Sequence, residues 1–367
     1  MSDREVRIGI IGTGKIGNSH LRRYAGIPDA RVVAVADIDR EAVEAAAGEY
    51  GVPHVYTDYE ELLRRDDLEA VDVCLHNMLH RRVSCDAMRA GKHVYCEKPI
   101  AATYADGRTM LECSRSTGQM LHIQVGTMFG AASRAAREVI ESGRCGDIYH
   151  GRAYVNLKCN RPFVDGKNTP AFVRKETAGG GALIDWGIYV ICQILWQMGN
   201  PAPERITGQT YDRVPMDEAL REESGYDVEE MGVGFVHFEN GASMDILAAW
   251  ALNLDEAVGC SVAGDRGGIV FAPFFVKDAP PVRFFSAVSD PWVSEPLDLD
   301  AAKAHWAEVG HGDAYDSPQH HWVRVLQDRV PLMPTAEVAL NMILIAEGIY
   351  RSAELGREVR AEEITEA

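Results

Sequence analysis

Apolar and polar positions form two kinds of stretch between residue 6 and about residue 125. Short runs rich in β-branched residues, typical of buried strands, alternate with longer stretches in which apolar residues recur at the spacing of one helix face. The predicted strands are residues 6–11, 31–36, 71–75, 93–95 and 120–125. The predicted helices are residues 16–26, 40–50, 59–64, 81–90 and 104–117. This alternation predicts an α/β domain with a doubly wound parallel sheet and right-handed crossovers.

The pattern changes after residues 143–146, a glycine-bounded exit from a helix. Strand-like runs follow at residues 148–155, 205–210, 232–238, 243–250, 257–263 and 268–275. Glu239-Asn240-Gly241 is a strong hairpin signal between two of these runs, so we expect an α+β domain with a large, mostly antiparallel sheet. Residues 279–312 show no clear period and are predicted to be loop, and two helices at 318–329 and 335–355 close the chain.

Length and composition fit a globular protein with two domains. The chain has 367 residues, of which 46% are apolar and 25% charged, and one domain typically takes ~100–200 residues. The 37 basic and 55 acidic residues give a net charge of −18. Because an acidic surface repels phosphate groups, we expect neither nucleic acid nor a membrane surface as a partner.

Several features favour a cytoplasmic protein without a bound metal. The first strand begins too early to leave space for a signal peptide, and the apolar run 188–195 is much shorter than the ~20 residues of a membrane span. The eight cysteines form no CxxC pair, which favours reduced thiols. His320 and His321 have no Cys or carboxylate at ligand spacing, so we expect a pair on a helix surface and no metal.

A glycine-rich loop follows the first predicted strand and opens the first predicted helix. It consists of Gly12, Thr13, Gly14, Lys15, Ile16 and Gly17. In such a GxGxxG loop, the first glycine makes the tight turn, the second admits a pyrophosphate and the third lets helix and strand pack closely. The pyrophosphate then lies on free N–H groups at the helix N-terminus. The alternative is a glycine turn that binds no nucleotide, which the order of strand, glycines and helix disfavours.

Asp37 ends the second predicted strand, 20 residues after the last glycine of the loop. A carboxylate at this position accepts hydrogen bonds from ribose hydroxyls and repels a 2′-phosphate, so it predicts NAD. Arg40 lies three residues further on, and a guanidinium there is able to bind a 2′-phosphate. NADP therefore stays open as the alternative cofactor.

Two further motifs carry candidate chemistry. The tripeptide 97–99, Glu-Lys-Pro, ends a predicted strand at the edge where ligands bind in open α/β sheets. The glycines 179–181 open a helix that carries Asp185 and Tyr189. Because these two residues are four positions apart, they share one face of a regular helix. Taken singly, each residue has a simpler interpretation: Lys98 as a solvated surface lysine, Asp185 as a helix cap and Tyr189 as a core aromatic. Their combination favours a functional site.

Together with residues 69–80, 90–94 and 347–353, these motifs resemble the glucose–fructose oxidoreductase, inositol dehydrogenase and rhizopine-catabolism family, Gfo/Idh/MocA, over nearly the whole chain. The resemblance implies a dinucleotide-binding Rossmann domain at residues 1–126. It implies a substrate-binding and oligomerisation domain with an open-faced sheet at 127–367, whose closing helices are able to pack back on the first domain. The implied activity is NAD(P)-dependent hydride transfer between the cofactor and a secondary alcohol of a sugar, glycoside, inositol or related cyclic polyol.

The resemblance also implies residue roles. The family's catalytic lysine corresponds to Lys98, its acid to Asp185, and the helix residue four positions later to Tyr189, where His is commoner and Tyr resembles the variant of the dihydrodiol dehydrogenases. Either a phenolate at Tyr189 accepts the proton beside the Lys98 ammonium, or Lys98 accepts it while Tyr189 orients the hydroxyl. Asp185 would hold the lysine or a substrate hydroxyl.

Further residues are expected around the two ligands. Besides the glycine loop, those for the cofactor are Asp37, Ile38, Arg40, Leu75, His76, Asn77, His80, Glu97 and Lys98. Those for the substrate are Lys98, Met128, Asn156, Lys158, Arg161, Asp185 and Tyr189, with Asn160 as a further candidate. Departures from the family pattern at residues 75–76, at 127–129 and at Cys192 put the usual inositol-type contacts in doubt.

Other functions and an assembly are also expected from the sequence. The alternative activities are an NAD-dependent glycosidase acting through transient oxidation and a dihydrodiol-type dehydrogenase; a nucleotide-binding regulator is disfavoured because both catalytic motifs are intact. Val233 and Phe235, together with Ile246 and Ala248, place apolar side chains on both sides of the second sheet. Such a sheet usually finds a partner surface, which predicts a homo-oligomer, a dimer or a tetramer.

Overall fold

Six short parallel strands form the first sheet in the computed structural model, which describes residues 4–166, 169–254, 259–273, 279–287 and 292–366. Their order is β3-β2-β1-β4-β5-β6. The order reverses between β1 and β4, which makes the carboxyl ends of these strands the expected ligand edge. The strands are β1 (Val6–Ile11), β2 (Ala30–Ala36), β3 (His54–Tyr56), β4 (Ala70–Val73), β5 (His93–Cys96) and β6 (Leu121–Ile123). The helices between them are α1 (Lys15–Tyr24), α2 (Arg40–Tyr50), α3 (Tyr59–Leu63), α4 (Asn77–Arg89) and α5 (Tyr104–Thr117).

Nine described strands form the second sheet, in the order β14-β13-β12-β11-β7-β10-β9-β8-β15. Its pairs are antiparallel except β7 with β10, which run parallel. The strands are β7 (Ile148–Asn156), β8 (Pro203–Tyr211), β9 (Met231–Phe238), β10 (Ser243–Ala249), β11 (Ser261–Gly264), β12 (Gly268–Phe271), β13 (Val282–Ser286), β14 (Val293–Pro296) and β15 (Val359–Arg360). The predicted hairpin after β9 is present, with Gly241 at a φ of +83°. The predicted fold class is thus confirmed.

The remaining helices lie before, between and after the strands of the second sheet. They are α6 (Ala131–Glu141), α7 (Lys175–Ala178), a π-helical turn (Leu183–Gly187), α8 (Ile188–Gln197), α9 (Glu218–Ser224), α10 (Leu299–Glu308), α11 (Pro318–Leu326), α12 (Thr335–Leu355) and α13 (Glu362–Thr365). Short 3-10 turns occupy Gly126–Met128 and Pro170–Val173.

The chain divides into two compact units. The first holds residues 4–101, 106–124 and 306–336, and the second holds 102–105, 125–305 and 337–366. The core of the first unit joins strand residues such as Ile8 and Ile10 to Trp322 and Val323 of α11, all fully buried.

The structure differs from the predicted local structure in three places. Helix α4 begins at Asn77, four residues before the predicted start, because the apolar residues of its first turn, Met78 and Leu79, are adjacent and exposed and so do not continue the buried face of the helix. The edge strand β3 was not predicted, since only three residues with little burial form it. The predicted loop 279–312 contains β13, β14 and the whole of α10. The predicted strands 257–263 and 268–275 lie partly outside the described residues.

The adjacent histidines also differ from their predicted place on a helix surface. His321 is fully buried, and its Nε2 accepts a hydrogen bond from the Met333 N–H at 3.1 Å. His320 is partly exposed, and its Nδ1 lies 2.9 Å from the Ser317 hydroxyl that caps α11. The prediction fails because one turn of an amphipathic helix presents adjacent residues to different environments.

Candidate cofactor and substrate sites

The glycine loop has the geometry that a bound pyrophosphate requires. Gly12 has a φ of +96°, and a Cβ there would lie 2.3 Å from the Cys74 carbonyl oxygen. A Cβ at Gly17 would lie 1.9 Å from the Gly12 carbonyl oxygen, so neither position admits a side chain. At Gly14, by contrast, the space around a Cβ is open. The loop is therefore closely packed on its inner side and accessible at the glycine that begins α1.

Asp37 is fixed beside this loop. Its Oδ2 accepts the Thr13 N–H at 2.7 Å and lies 3.2 Å from the Thr13 hydroxyl, while its Oδ1 accepts the Asp39 N–H at 3.0 Å. The carboxylate thus stands at the end of β2 next to the start of the glycine loop. This placement fits the ribose of NAD, because the loop and the acid belong to adjacent strand ends.

The other candidates near Asp37 lie on the surface. Lys15 and Ile16 are exposed on the first turn of α1, and the side chain of Ile38 is 94% exposed. The Arg40 guanidinium lies 3.2 Å from the Glu44 carboxylate on the exposed side of α2. A pair this exposed contributes little to stability and leaves Arg40 able to change partners.

The loop after β4 carries three predicted residues, Leu75, His76 and Asn77, which lead into α4. His80 is fully buried in the first turn of that helix, with Nδ1 2.8 Å from the Pro99 carbonyl oxygen and Nε2 3.0 Å from the Leu75 carbonyl oxygen. Burial lowers the pKa of His80. His80 therefore links the loop after β4 to the corner after β5, and its contacts indicate a supporting role.

That corner holds Glu97 and Lys98, both partly buried. The Glu97 Oε2 accepts the Lys98 N–H at 3.0 Å, and Oε1 lies 3.0 Å from the Nε2 of His20 on α1. Burial opposes the ionisation of Glu97, but the His20 ring and Lys98 outweigh it and lower its pKa. A charged carboxylate therefore anchors the backbone of the predicted catalytic lysine.

The sequence reasoning missed a buried polar cluster behind this corner. His20, Asp72 and Cys74 place their polar atoms within 4.8 Å of one another, a spacing compatible with a metal ion. Asp72 is fully buried in the middle of β4. A carboxylate flanked by Val71 and Val73 in a buried strand was the available signal, because a buried charge requires a partner.

In the second unit, the three consecutive glycines are required by close contacts. Gly179 has a φ of +84°, and its Cβ would lie 2.3 Å from the Ala102 carbonyl oxygen. A Cβ at Gly180 would lie 2.1 Å from the Tyr350 hydroxyl oxygen. At Gly181 it would lie 1.9 Å from the Glu229 carbonyl oxygen. This turn leads directly into the segment that carries Asp185 and Tyr189.

Glu229 caps the start of that segment and was not predicted. Its Oε2 accepts the Gly181 N–H at 2.8 Å, and its Oε1 accepts the Leu183 N–H at 2.9 Å and the Tyr350 hydroxyl at 3.0 Å. Burial raises the pKa of Glu229, although these donors favour its charged form. Tyr350 belongs to the closing motif 347–353, so that motif helps to hold the glycine turn.

Asp185 and Tyr189 occupy different kinds of turn. Asp185 lies in the π-helical turn, and regular α-helical geometry begins only at Ile188. The Asp185 Oδ2 accepts the indole N–H of the fully buried Trp250 at 3.0 Å. The Tyr189 ring packs edge-on against Trp186 at a centroid distance of 5.8 Å. Single π turns inside helices frequently occur at functional sites.

The other predicted substrate residues fall into two groups. Asn156 and Asn160 are partly exposed and Lys158 is exposed, at or just after the end of β7. Arg161 is only 3% exposed, and its guanidinium donates to Asp165, to Glu230 and to the Val214 carbonyl. Met128 is fully buried. The burial of Arg161 and Met128 indicates structural roles for these two residues.

Residues 175–197 include a stretch that is long and apolar enough to cross a membrane by length and composition. In its most apolar part, 78% of the residues are buried inside the structure. The interior position of α8 accounts for this apolar character, as in the core helix of a globular protein.

Comparisons with known proteins extend the observations on fold and loop. A family model described as "Oxidoreductase family, NAD-binding Rossmann fold" matches residues 6–125, and one described as "GFO/IDH/MocA C-terminal domain" matches residues 133–270. Fold, glycine loop and family models together define an oxidoreductase with an NAD-binding Rossmann domain. The chain belongs to the Gfo/Idh/MocA family. The predicted family, enzyme class and NAD cofactor are confirmed.

Individual relatives give the degree of similarity. D-glucoside 3-dehydrogenase of Escherichia coli (strain K12) is 29% identical over 281 residues, which cover 74% of this chain and 79% of that protein. Inositol 2-dehydrogenase of Salmonella typhimurium is 36% identical over 155 residues, which cover 41% of this chain and 46% of that protein. The structure of a levoglucosan dehydrogenase in complex with NADH has a TM-score of 0.81 at 21% identity, covering 97% of this chain and 99% of that one.

Proposed function

We propose that this chain is an NAD-dependent dehydrogenase that oxidises a secondary hydroxyl of a sugar or glycoside. One observation carries the proposal. The glycine loop, Asp37 and Lys98 follow β1, β2 and β5, so all three lie at the carboxyl edge of the parallel sheet. A sugar or glycoside is favoured over other alcohols because the glucoside dehydrogenase matches this chain over both units.

The residues have distinct roles in this proposal. The N–H groups of the glycine loop would hold the pyrophosphate, and Asp37 would accept hydrogen bonds from the hydroxyls of the adenosine ribose. A bound nicotinamide supplies the acceptor for the hydride that leaves the carbinol carbon. Lys98 or Tyr189 would take the hydroxyl proton, and Asp185, oriented by the Trp250 indole, would bind a substrate hydroxyl.

Two substitutions test the proton-transfer roles. Lys98→Met is expected to lower kcat by several orders of magnitude with little change in NAD affinity, because the pyrophosphate and ribose contacts lie elsewhere. Tyr189→Phe keeps the ring and removes the hydroxyl, so we expect a loss of ~10²–10⁴-fold in kcat, the size of a general acid–base contribution. The assay follows absorbance of the reduced cofactor and product identity with glucosides, free sugars and inositols.

Matched controls are available on the surface. Lys303→Met and Tyr149→Phe change exposed residues of the same types and should leave kcat unaltered. A Tyr189→Phe loss below tenfold with an unchanged pH profile would make Tyr189 a packing residue. Release of a sugar from a glycoside without net formation of reduced cofactor would replace the dehydrogenase proposal by glycoside cleavage through transient oxidation.

We further propose a homo-oligomer in the cytoplasm. On β9 and β10 the side chains of Val236 and Ile246 are buried, whereas Val233, Phe235 and Leu247 on the other face are partly exposed. An apolar face of this kind is a suitable interface between copies of the chain. Sedimentation that finds only a 40.4 kDa species at micromolar concentration would contradict assembly.

The eight cysteines are all free, which supports a reducing compartment.

A further inference from the structure

His20 is a histidine held between two carboxylates in the interior of the first unit. Its side chain is 2% exposed, with Nδ1 2.8 Å from the Asp72 Oδ2 and Nε2 3.0 Å from the Glu97 Oε1. An ionised carboxylate only accepts hydrogen bonds, and a neutral imidazole has a single N–H. The Nδ1 contact with Asp72 is a hydrogen bond and the Nε2 contact with Glu97 is an ion-pair distance, so a positive charge on the ring is attracted by a carboxylate on each side.

The groups around this ring favour the charged form. Asp72 faces it from β4, and the Cys74 thiol lies 3.3 Å from the Asp72 Oδ1 and 3.3 Å from the His20 Nδ1. Tyr24 lies on the same helix, and Tyr95 packs edge-on at 5.8 Å. Burial lowers the pKa of His20, but the contacts with Asp72 and Cys74 together outweigh burial, and the pKa is raised well above its ordinary value. Burial also raises the pKa of Cys74, so the thiol stays protonated.

The ring connects two parts of the proposed active site. His20 lies on α1, the helix that begins at the glycine loop, and Glu97 accepts the backbone N–H of Lys98 through its other carboxylate oxygen. A positive charge at His20 offsets the negative charge of the Glu97 carboxylate. Without it, the full charge of Glu97 acts on the neighbouring lysine. Without that balance, the Lys98 ammonium is stabilised and its proton is harder to remove.

We propose that His20 is a positioning residue of this enzyme, an imidazolium that is hydrogen-bonded to Asp72 and ion-paired with Glu97. It joins the glycine-loop helix to the Lys98 corner and weakens the attraction of Glu97 for the Lys98 proton. The inference rests on the proposed role of Lys98. A metal ion on His20, Asp72 and Cys74 is the competing interpretation. The separation of 2.8 Å between Nδ1 and Asp72 is that of a direct hydrogen bond, which favours the imidazolium.

The charge on His20 can be measured without any substitution. We expect ¹⁵N spectra of histidine-labelled protein at about pH 9 to retain one doubly protonated ring among the 12 histidines, since an ordinary histidine with a pKa of ~6.5 is neutral there. The signal should disappear in His20→Gln. A spectrum in which every ring is neutral, or a stoichiometric metal content in protein purified without chelators, would overturn the proposal.

Kinetics test the positioning role. His20→Gln and Asp72→Asn should each raise the pKa of the group that limits kcat/KM by roughly one unit. They should also lower kcat by up to about 10²-fold, the effect of a displaced catalytic group. We expect NAD affinity, measured by calorimetry, to change much less than kcat. His54→Gln changes an exposed histidine on β3 and is the matched control.

The results also separate this inference from the proposed function. If Lys98→Met retains full activity, the assignment of Lys98 fails, whereas the ¹⁵N result still reports the charge of His20. If both variants fold and keep the parent pH profile, His20 is a structural residue and the proposal is wrong. A variant that does not fold leaves the second variant and the spectra of the parent protein to decide.

Discussion

We propose that Asp37 discriminates between the two nicotinamide cofactors. Its two carboxylate oxygens are held by the N–H groups of Thr13 and Asp39, which fixes the charge beside the loop. A fixed negative charge repels a 2′-phosphate and accepts hydroxyl hydrogen bonds. Arg40 is paired with Glu44 on the surface, so its guanidinium does not neutralise Asp37.

We therefore expect Asp37→Ser to reduce the preference for NAD. The kcat/KM for NAD should fall and that for NADP should rise, because the repulsion of the 2′-phosphate is removed while a hydroxyl remains. Steady-state kinetics with both cofactors measure the change. Asp58→Ser changes an exposed aspartate, the N-cap of α3, and should leave cofactor preference unchanged. If the parent enzyme prefers NADP, the assignment of Asp37 is wrong and Arg40 is the residue that binds the 2′-phosphate.

The turn of three glycines shows how a single element depends on distant backbone. Besides local backbone hydrogen bonds, its conformation depends on distant residues: Glu229 accepts the Gly181 N–H, and Ala102 and Tyr350 pack closely against Gly179 and Gly180. These contacts place the start of the π-helical turn and α8, and hence Asp185 and Tyr189. A change in this turn should affect stability and catalysis together.

We predict opposite effects for two Gly→Ala substitutions. Gly181→Ala should destabilise the protein by about 2 kcal/mol or more, because its Cβ would lie 1.9 Å from a backbone carbonyl oxygen that cannot move away easily. Gly48→Ala, in an exposed part of α2 with open space around the Cβ, should stabilise it by up to ~1 kcal/mol. Denaturant unfolding measures both. Equal effects would contradict the close contact at Gly181.

For the molecule as a whole, buried histidines link stability to pH. His122 is fully buried and stacks on Tyr95 at 4.8 Å. Burial, with a smaller contribution from His321, lowers the pKa of His122 well below its ordinary value. Burial lowers the pKa of His80 in the same direction. In both cases the unfolded chain binds the proton more readily than the folded chain does.

We therefore expect the free energy of unfolding to fall as the pH drops below ~6.5, the ordinary pKa of histidine in the unfolded chain. The fall continues until the lowered pKa of the folded state is reached. His122→Phe removes one of these protons and should flatten the dependence between about pH 7 and pH 5, measured by denaturant unfolding. His54→Phe, an exposed control, should keep it. An unchanged slope in His122→Phe would exclude His122 as a source.

Periodic patterns and short motifs were sufficient to predict the two sheets, the glycine loop, Asp37 and the Glu-Lys-Pro corner. These features depend on residues that are close to one another in the sequence, so a local sequence pattern is sufficient to predict them. They failed where an element is too short to show a period, as in the three-residue strand β3 and the four-residue strand β14.

Folding over long distances decided the remaining features. His20 meets Asp72 from 52 positions away, Glu229 caps Gly181 from 48 positions away, and Glu230 holds Arg161 from 69 positions away. A buried charge requires a compensating partner. The sequence does not show which residue is the partner, because tertiary packing both buries the charge and brings the partner to it. For this reason Arg161 resembled a ligand residue in the sequence and is a structural residue in the fold.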